Sequence, residues 1–354
     1  MKIEALLPLG RLDPGVRVAA PLDVARVGED ARRAEELGYD GVLTEETKED
    51  PFIVLALAAQ ATSRVRLATA VAVAFPRSPT IAAHSAWTLA RLSQGRFTLG
   101  LGSQVKAHIE RRYGMRWSPP GPWLRDYVGA LRAIWASWQH GTKLDYRSEH
   151  YTLNLMVPLF APAPLEHPDI RVELAAVNPY MCQVAGEVAD GIRAHPVATP
   201  RYIADVMLPA ARKGMAKAGR EAGRDGTDFA MCVMPLVATA PDRAGLAAAL
   251  QDVRSRVAFY ASTPTYLAAF EIDGHAETAK QLQALSRAQR WEEMPGLVSD
   301  DMLDTYAVIG THDEIAGKLR ARYGRLATHL EFTIPLASPA DADILRELIA
   351  ELRR

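Results

Sequence analysis

The feature that most constrains the fold is an alternation of apolar, β-branched segments with amphipathic helical segments, which recurs eight times along the chain. The strand-like segments are almost continuously apolar, as expected for a parallel sheet that is covered on both faces. Between them, as over residues 21–38, apolar side chains recur at three- and four-residue steps, which indicates a helix. Strands are predicted over residues 2–9, 40–46, 64–75, 95–102, 169–177, 190–197, 229–239 and 328–336.

Eight strand–helix units in 354 residues predict an α/β fold. We expect a single (β/α)8 TIM-barrel domain over residues 1–354, and a doubly wound open sheet is the alternative. Two segments exceed a minimal barrel: about 105–165 after strand 4, and about 258–308 after strand 7. The first contains a predicted helix over 126–141 and a hairpin over 143–160. Because barrel enzymes build their sites where strands end, we expect both insertions to form walls or lids of a pocket.

The charge balance excludes several classes of partner. The chain has 41 basic and 42 acidic residues, and both signs are interspersed on the predicted helices, which does not suit a nucleic-acid-binding or membrane-surface protein. No apolar run reaches the roughly 18 residues of a membrane span. Cys182 and Cys232 form neither a CxxC pattern nor a metal-binding spacing. We therefore expect a reduced, cytoplasmic protein.

Residues that directly follow the predicted strands are the candidates for a site. The polar ones are Glu45, Glu46, Ser103, Gln104, Lys106, His108, Asn178, Arg193 and His195. They form no metal-binding cluster, and no phosphate-loop, nucleophile-elbow or zinc-protease motif accompanies them. Small residues near Ala70, Gly102 and Ala175 suit the close approach of a neighbouring strand or of a flat ligand. The helix that starts at Asn178 offers backbone N–H groups to a phosphate.

The segment over residues 92–104, LSQGRFTLGLGSQ, resembles the L-S-x-G-R-hydrophobic-x-L-G-hydrophobic-G signature of the bacterial luciferase-like superfamily. Four further segments resemble the same superfamily in the same order: AEELGYDGVLTEE, TSRVRLATAV, LAAVNPYMCQVAGEVADGI and VIGTHDEIAGKL. The resemblance therefore spans essentially the whole chain. Three other segments, ETKEDPF, GLGSQVKAHIERRYGMRWSPP and AFYASTPTY, resemble a subgroup of oxidoreductases that depend on the deazaflavin coenzyme F420.

The resemblance implies a TIM barrel that binds coenzyme F420, or alternatively FMN, at the carboxyl ends of its strands. It implies a non-proline cis peptide bond between Ala70 and Val71, and by analogy a homodimer through helices over 53–59 and 81–92. On this basis we expect the cofactor to contact Glu45, Ala70, Val71, Gly102, Ser103, Gln104, Lys106, Ala175, Ala176, Val177 and Asn178.

One position departs from the family pattern. Sugar-6-phosphate dehydrogenases of the superfamily carry a catalytic glutamate just past strand 4, where this chain has Val105. The resemblance therefore leaves the proton-handling role to Glu46, His108 or His195. The expected reaction is hydride transfer between F420 and a small organic substrate, because a deazaflavin is an obligate hydride carrier. The alternatives are an FMN-dependent monooxygenase, a catalytically silent family member and a generic (β/α)8 sugar-phosphate enzyme.

Overall fold

Eight parallel strands close into a barrel in the computed structural model, which describes residues 1–10, 22–220 and 229–354. The strands are β1 (Lys2–Leu6), β2 (Gly41–Thr44), β3 (Arg66–Thr69), β4 (Ala72–Val73), β5 (Phe97–Gly102), β6 (Tyr146–Arg147), β7 (Thr152–Leu153), β8 (Arg171–Ala176), β9 (Gly191–Ala194), β10 (Ala230–Val233), β11 (Leu236–Ala240), β12 (Ala307–Thr311) and β13 (His329–Glu331). The barrel order is β1-β2-β3-β5-β8-β9-β10-β13, and β13 pairs with β1. This closure confirms the predicted (β/α)8 barrel and excludes the open sheet.

Helices connect successive strands. They are α1 (Val27–Leu37), α2 (Pro51–Ala61), α3 (Pro79–Leu92), α4 (Lys106–Arg111), α5 (Pro120–His140), α6 (Pro179–Val188), α7 (Pro200–Tyr202), α8 (Leu208–Lys217), α9 (Arg243–Ala261), α10 (Leu267–Glu271), α11 (Ala276–Arg287), α12 (Asp300–Tyr306), α13 (His312–Tyr323) and α14 (Pro339–Leu352). The side chains of Asp50, Ser78 and Asn178 cap α2, α3 and α6 by accepting backbone N–H groups. A proline at the first position of each of these helices suits the same start, since its missing N–H has no helical partner.

The structure corrects the predicted seventh strand. Residues 229–239 were expected to form one strand, but the chain leaves the barrel after β10 and continues as β11. Pro235, between the two strands, cannot donate to a sheet ladder, and β11 pairs instead with β12, which the sequence did not predict. The first and last barrel strands are also shorter than the predicted ranges 2–9 and 328–336. Residue 21, where the first helix was predicted to start, lies outside the described residues.

Two long connections extend the barrel. Between β5 and β8 lie α4, α5 and the antiparallel β6–β7 hairpin, and α5 packs against α3 and α6. Helix α5 begins at Pro120, six residues before the range 126–141 that the sequence predicted. Between β11 and β12 lie α9 to α12. Across the described parts of the chain, no helix is both long and apolar enough to cross a membrane.

Candidate functional site

A cavity of about 500 Å³ lies at the carboxyl ends of the barrel strands. Ten of the residues expected to contact a cofactor line it: Ala70, Val71, Gly102, Ser103, Gln104, Lys106, Ala175, Ala176, Val177 and Asn178. Glu45, the remaining one, is not among the described residues of its lining. The cavity therefore gathers residues from the ends of β3, β5 and β8 that are far apart in the sequence.

Two glycines of β5 allow close packing beside the cavity, Gly100 against the backbone of Thr69 and Gly102 against the side chain of Val71. A Cβ on Gly100 would lie 1.9 Å from the carbonyl oxygen of Thr69, and one on Gly102 would lie 2.6 Å from Val71 Cγ2. Thr69 Oγ1 also donates to the Gly100 carbonyl oxygen (2.6 Å) and accepts the Gly100 N–H (2.9 Å). The peptide bond between Ala70 and Val71 is cis, as the resemblance implied. The predicted close approach of backbone at these glycines is thus confirmed.

The rim beyond β5 is formed by a left-handed turn. Gln104 has a φ of 56°, and its Oε1 accepts the N–H of Val105 at 2.9 Å, after which α4 starts at Lys106. Val105 lines the cavity, so an apolar side chain occupies the rim where related dehydrogenases carry an acid. Lys106 also lines the cavity and lies 3.9 Å from Glu110 across one turn of α4. His108 is exposed on α4 and is not among the described lining residues.

Glu46 is placed by the structure in an ion-pair network rather than at the cavity. Its carboxylate accepts the N–H of Val73 (2.7 Å) and two hydrogen bonds from Arg77 Nη1 (2.8 and 2.7 Å). Arg77 Nη2 donates in turn to Asp50 at 2.9 Å. Glu46 is not among the described residues that line the cavity. These contacts correct its expected position and make it a residue that fastens the loop between β4 and α3.

His195, at the end of β9, does line the cavity. Its ring lies 4.2 Å from the ring of Tyr266 and 4.7 Å from that of Tyr260, in the latter case nearly perpendicular. Its Nδ1 accepts the N–H of Val197 at 3.4 Å. This contact favours the neutral tautomer that carries its hydrogen on Nε2. Of the three expected proton-handling residues, the cavity contains His195.

A buried ion cluster forms the floor of the cavity, and sequence reasoning missed it. Arg193 donates to both carboxylate oxygens of Glu4, from Nη1 at 3.1 Å and from Nη2 at 3.3 Å. Its Nε lies 2.7 Å from Glu173 Oε2 as an ion pair, although the N–H is not aligned for a hydrogen bond. Arg193, Cys232 and Glu331 line the floor. The sequence signal for this cluster is the presence of charged residues within otherwise apolar strands. Such residues are rarely buried unless they are paired.

The electrostatics of this floor keep Arg193 charged and the thiol protonated. Burial raises the pKa of Glu4, but the charges of Arg193 and His329 and the hydrogen bonds from Arg193 outweigh it, so that the net shift is downward. Burial and the charge of Glu173 raise the pKa of Cys232 well above its usual value. Cys232 is therefore a neutral group at neutral pH, not a nucleophile. Among the described residues, no group of three His, Cys, Asp or Glu side chains could hold a metal ion.

A sequence model of the luciferase-like monooxygenase family matches residues 8–329. The chain belongs to this family. An uncharacterized protein of Mycobacterium tuberculosis is 42% identical over 334 residues, which cover 94% of this chain and 96% of that protein. A second protein of the same organism, provisionally named a coenzyme F420-dependent oxidoreductase, is 29% identical over 297 residues, covering 80% of this chain and 83% of its own.

Solved structures of similar fold include enzymes of both cofactor types. The coenzyme F420-dependent tetrahydromethanopterin reductase from Methanopyrus kandleri superimposes with a TM-score of 0.75 at 19% identity, covering 99% of this chain and 97% of its own. An F420-dependent secondary alcohol dehydrogenase with an F420–acetone adduct gives 0.71 at 17% identity, covering 100% and 99%. A Baeyer–Villiger monooxygenase component from Pseudomonas putida in complex with FMN gives 0.67 at 15% identity, covering 99% and 98%. These likenesses establish that the luciferase-like protein shares their barrel fold.

Proposed function

We propose that this luciferase-like protein transfers a hydride between coenzyme F420 and a small organic substrate. The observation that carries the proposal is the cavity at the strand ends, whose wall includes Ala70, Val71, Gly102, Ala175 and Ala176. Two relatives support the choice of reaction: the one provisionally named a coenzyme F420-dependent oxidoreductase, and a 5,10-methylenetetrahydromethanopterin reductase from Methanolobus tindarius that is 26% identical over 310 residues.

The lining residues fit such a cofactor. A wall of small side chains, formed by Ala70, Gly102, Ala175 and Ala176, would leave room for a flat ring. The first turn of α6, which follows Asn178, would hold the phosphate at the positive end of the helix dipole. Ser103 and Gln104 would offer hydrogen bonds at the rim, and Lys106 would pair with an acidic tail. The bound deazaflavin supplies the hydride chemistry.

The protein's own part is to orient the substrate, exclude water and move one proton. We assign the proton transfer to the ring of His195, because His195 lines the cavity at the end of β9. Glu331, at the end of β13, is the carboxylate within the cavity lining and is the second candidate for this role. Trp117 and Tyr266, from the two long connections, shield the cavity. Glu46 would act by holding the loop between β4 and α3.

Cofactor identity is the decisive test. We would titrate the cofactor-free protein with F420 and with FMN, in oxidised and reduced form, and follow fluorescence and oxygen consumption. Ala175→Phe should abolish F420 binding by filling the space beside the wall of small side chains, whereas Ala161→Phe, on an exposed segment outside the cavity, should leave it unchanged. Tight FMN binding with oxygen consumption and no F420 binding would support the monooxygenase alternative instead. F420 binding without turnover of any substrate would support the catalytically silent alternative.

We further propose that the protein is a cytoplasmic homodimer. Ile53 and Leu57 on α2 are 62% and 37% exposed, and Ile81 on α3 is 58% exposed, although these are large apolar side chains. Helices α2 and α3 pack against each other, and exposed apolar side chains on neighbouring helices are typical of a protein interface. The two cysteines are buried and unpaired, which supports a reducing compartment.

A further inference from the structure

A second cavity, of about 590 Å³, adjoins the first at Trp117, a residue that lines both. It is bounded by the loop after β4, the loop before α5 and the β6–β7 hairpin, and Phe75, Trp123 and Tyr151 give it aromatic walls. Ser118 and His150 line the same cavity. Neither residue belongs to the site described above.

Ser118, His150 and Asp126 form a continuous hydrogen-bonded chain. Ser118 Oγ lies 3.0 Å from His150 Nε2, and His150 Nδ1 lies 2.7 Å from Asp126 Oδ2. Because a carboxylate can only accept, Nδ1 carries the ring hydrogen, and the neutral Nε2 accepts the Ser118 hydroxyl hydrogen. A nucleophile, a base and a carboxylate that orients the base are thus joined in the order used by serine hydrolases.

The base is held in a defined orientation. Asp126 also accepts the backbone N–H of His150 at 3.2 Å, so one carboxylate oxygen fixes both the ring and its backbone. The His150 ring is nearly parallel to that of Trp123, at 14° and 5.9 Å between centroids, and Trp123 stacks on Phe75. The side chains of His150 and Asp126 are 12% and 18% exposed. Such a shielded pair is preorganised, in contrast to a mobile surface ion pair.

Tyr151 adds a hydroxyl group to the same cavity. The Tyr151 hydroxyl oxygen accepts the indole N–H of Trp123 at 2.7 Å, so the hydroxyl hydrogen points elsewhere. Burial raises the pKa of Tyr151 to about 12, and the hydroxyl therefore stays protonated at neutral pH. A tyrosine hydroxyl is one of the groups that stabilise the oxyanion of acyl-transfer reactions.

We propose that Ser118, His150 and Asp126 form a second, hydrolytic site for carboxylic esters with apolar or aromatic acyl groups. Ser118 Oγ attacks the ester carbonyl carbon while its proton passes to His150 Nε2. The bond between the carbonyl carbon and the alkoxy oxygen then breaks, and the leaving alcohol takes that proton. A water molecule next gives its proton to His150 Nε2 and attacks the acyl–Ser118 ester. The carboxylic acid leaves, and Ser118 Oγ recovers its proton.

The test uses the full-length protein, p-nitrophenyl butyrate and a fluorophosphonate probe. We expect ester hydrolysis above the buffer blank, a loss on the order of 10³-fold or more in Ser118→Ala, and probe labelling that peptide mass spectrometry assigns to Ser118. His150→Asn should abolish the labelling. Ser85→Ala, which removes an exposed hydroxyl on α3 that bonds only within its own helix turn, should retain the full hydrolysis rate.

Two results would overturn the proposal: a rate in Ser118→Ala equal to that of the wild type, or no labelling of Ser118 in the wild-type protein. The labelling experiment needs no variant and therefore does not depend on whether Ser118→Ala folds. Binding of F420 by Ser118→Ala, measured alongside, separates loss of this site from loss of the fold. Failure of F420 binding in the wild type would bear on hydride transfer alone, because the hydrolytic step uses no cofactor.

Discussion

Replacement of Arg193 by methionine tests whether the buried ion cluster stabilises the barrel. Methionine keeps much of the side-chain length but removes the cation that lies between Glu4 and Glu173. The side chain of Arg193 is 9% exposed, that of Glu4 is 5% exposed and that of Glu173 is 4% exposed. In the variant the two carboxyl groups would therefore remain buried without the guanidinium group. Removing one partner of a buried pair costs about 3–5 kcal/mol. We expect the free energy of unfolding at pH 7 to fall by about that amount.

The loss should depend on pH in a defined direction. In the wild type the pKa of Glu4 is lowered, so its contribution to stability is present above the unfolded-state pKa and is lost as the pH falls through the folded-state value. Without Arg193, burial still raises the pKa of Glu4, and only the charges of His329 and Arg66 remain to lower it, so the pKa should lie higher than in the wild type. The folded variant therefore binds a proton on Glu4 at a higher pH than the folded wild type does. The deficit of the variant should therefore be largest at pH 7 and shrink as the pH falls through the raised pKa.

Denaturant unfolding of the cofactor-free protein, followed by circular dichroism at several pH values between 7 and 5, measures this difference. The matched control is Arg147→Met, since Arg147 pairs with Asp145 at 3.0 Å with side chains that are 64% and 52% exposed. An exposed pair contributes about 0–1 kcal/mol, and its removal should show no comparable pH dependence. If Arg193→Met costs no more than Arg147→Met, or if its deficit does not shrink at lower pH, the reasoning about the cluster is wrong.

Two predictions concern the close packing at Gly100 and the exposed apolar side chains of α2 and α3. Gly100→Ala should lower the free energy of unfolding by about 3 kcal/mol, because its Cβ would lie 1.9 Å from the carbonyl oxygen of Thr69. The control Gly296→Ala, whose Cβ would have no atom within 4 Å, should lower it much less. Equal losses of the two variants in denaturant unfolding would contradict the close approach at Gly100. If the proposed dimer forms, Ile81→Asp should convert it to a monomer in light scattering at micromolar concentration, whereas Leu297→Asp on the second insertion should not. A monomeric wild type would refute the proposed dimer.

Expected site residues whose role depends on backbone position line the cavity in the structure. Some of those whose role depends on the contacts of a side chain lie elsewhere. Gly102 at the end of β5, Ala70 after β3, and Ala175 and Ala176 at the end of β8 line the cavity, since strand position and the lack of a long side chain determine their role. Glu46 follows a strand in the same way, yet Arg77, which lies 31 residues later, binds its carboxylate away from the cavity. His108 is exposed on α4 and is not among the described residues that line the cavity.

The sequence by itself determined the barrel and the small residues of the cavity wall, because hydrophobic periodicity and glycine act through local backbone geometry. Only the tertiary structure decided which charged side chains meet. Glu4 and Arg193 are 189 positions apart, and their pairing in the floor follows from barrel closure. The Ser118–His150–Asp126 chain likewise depends on the hairpin folding back onto α5. Contacts of this kind have no local signature, since each partner would be an ordinary polar residue in its own segment.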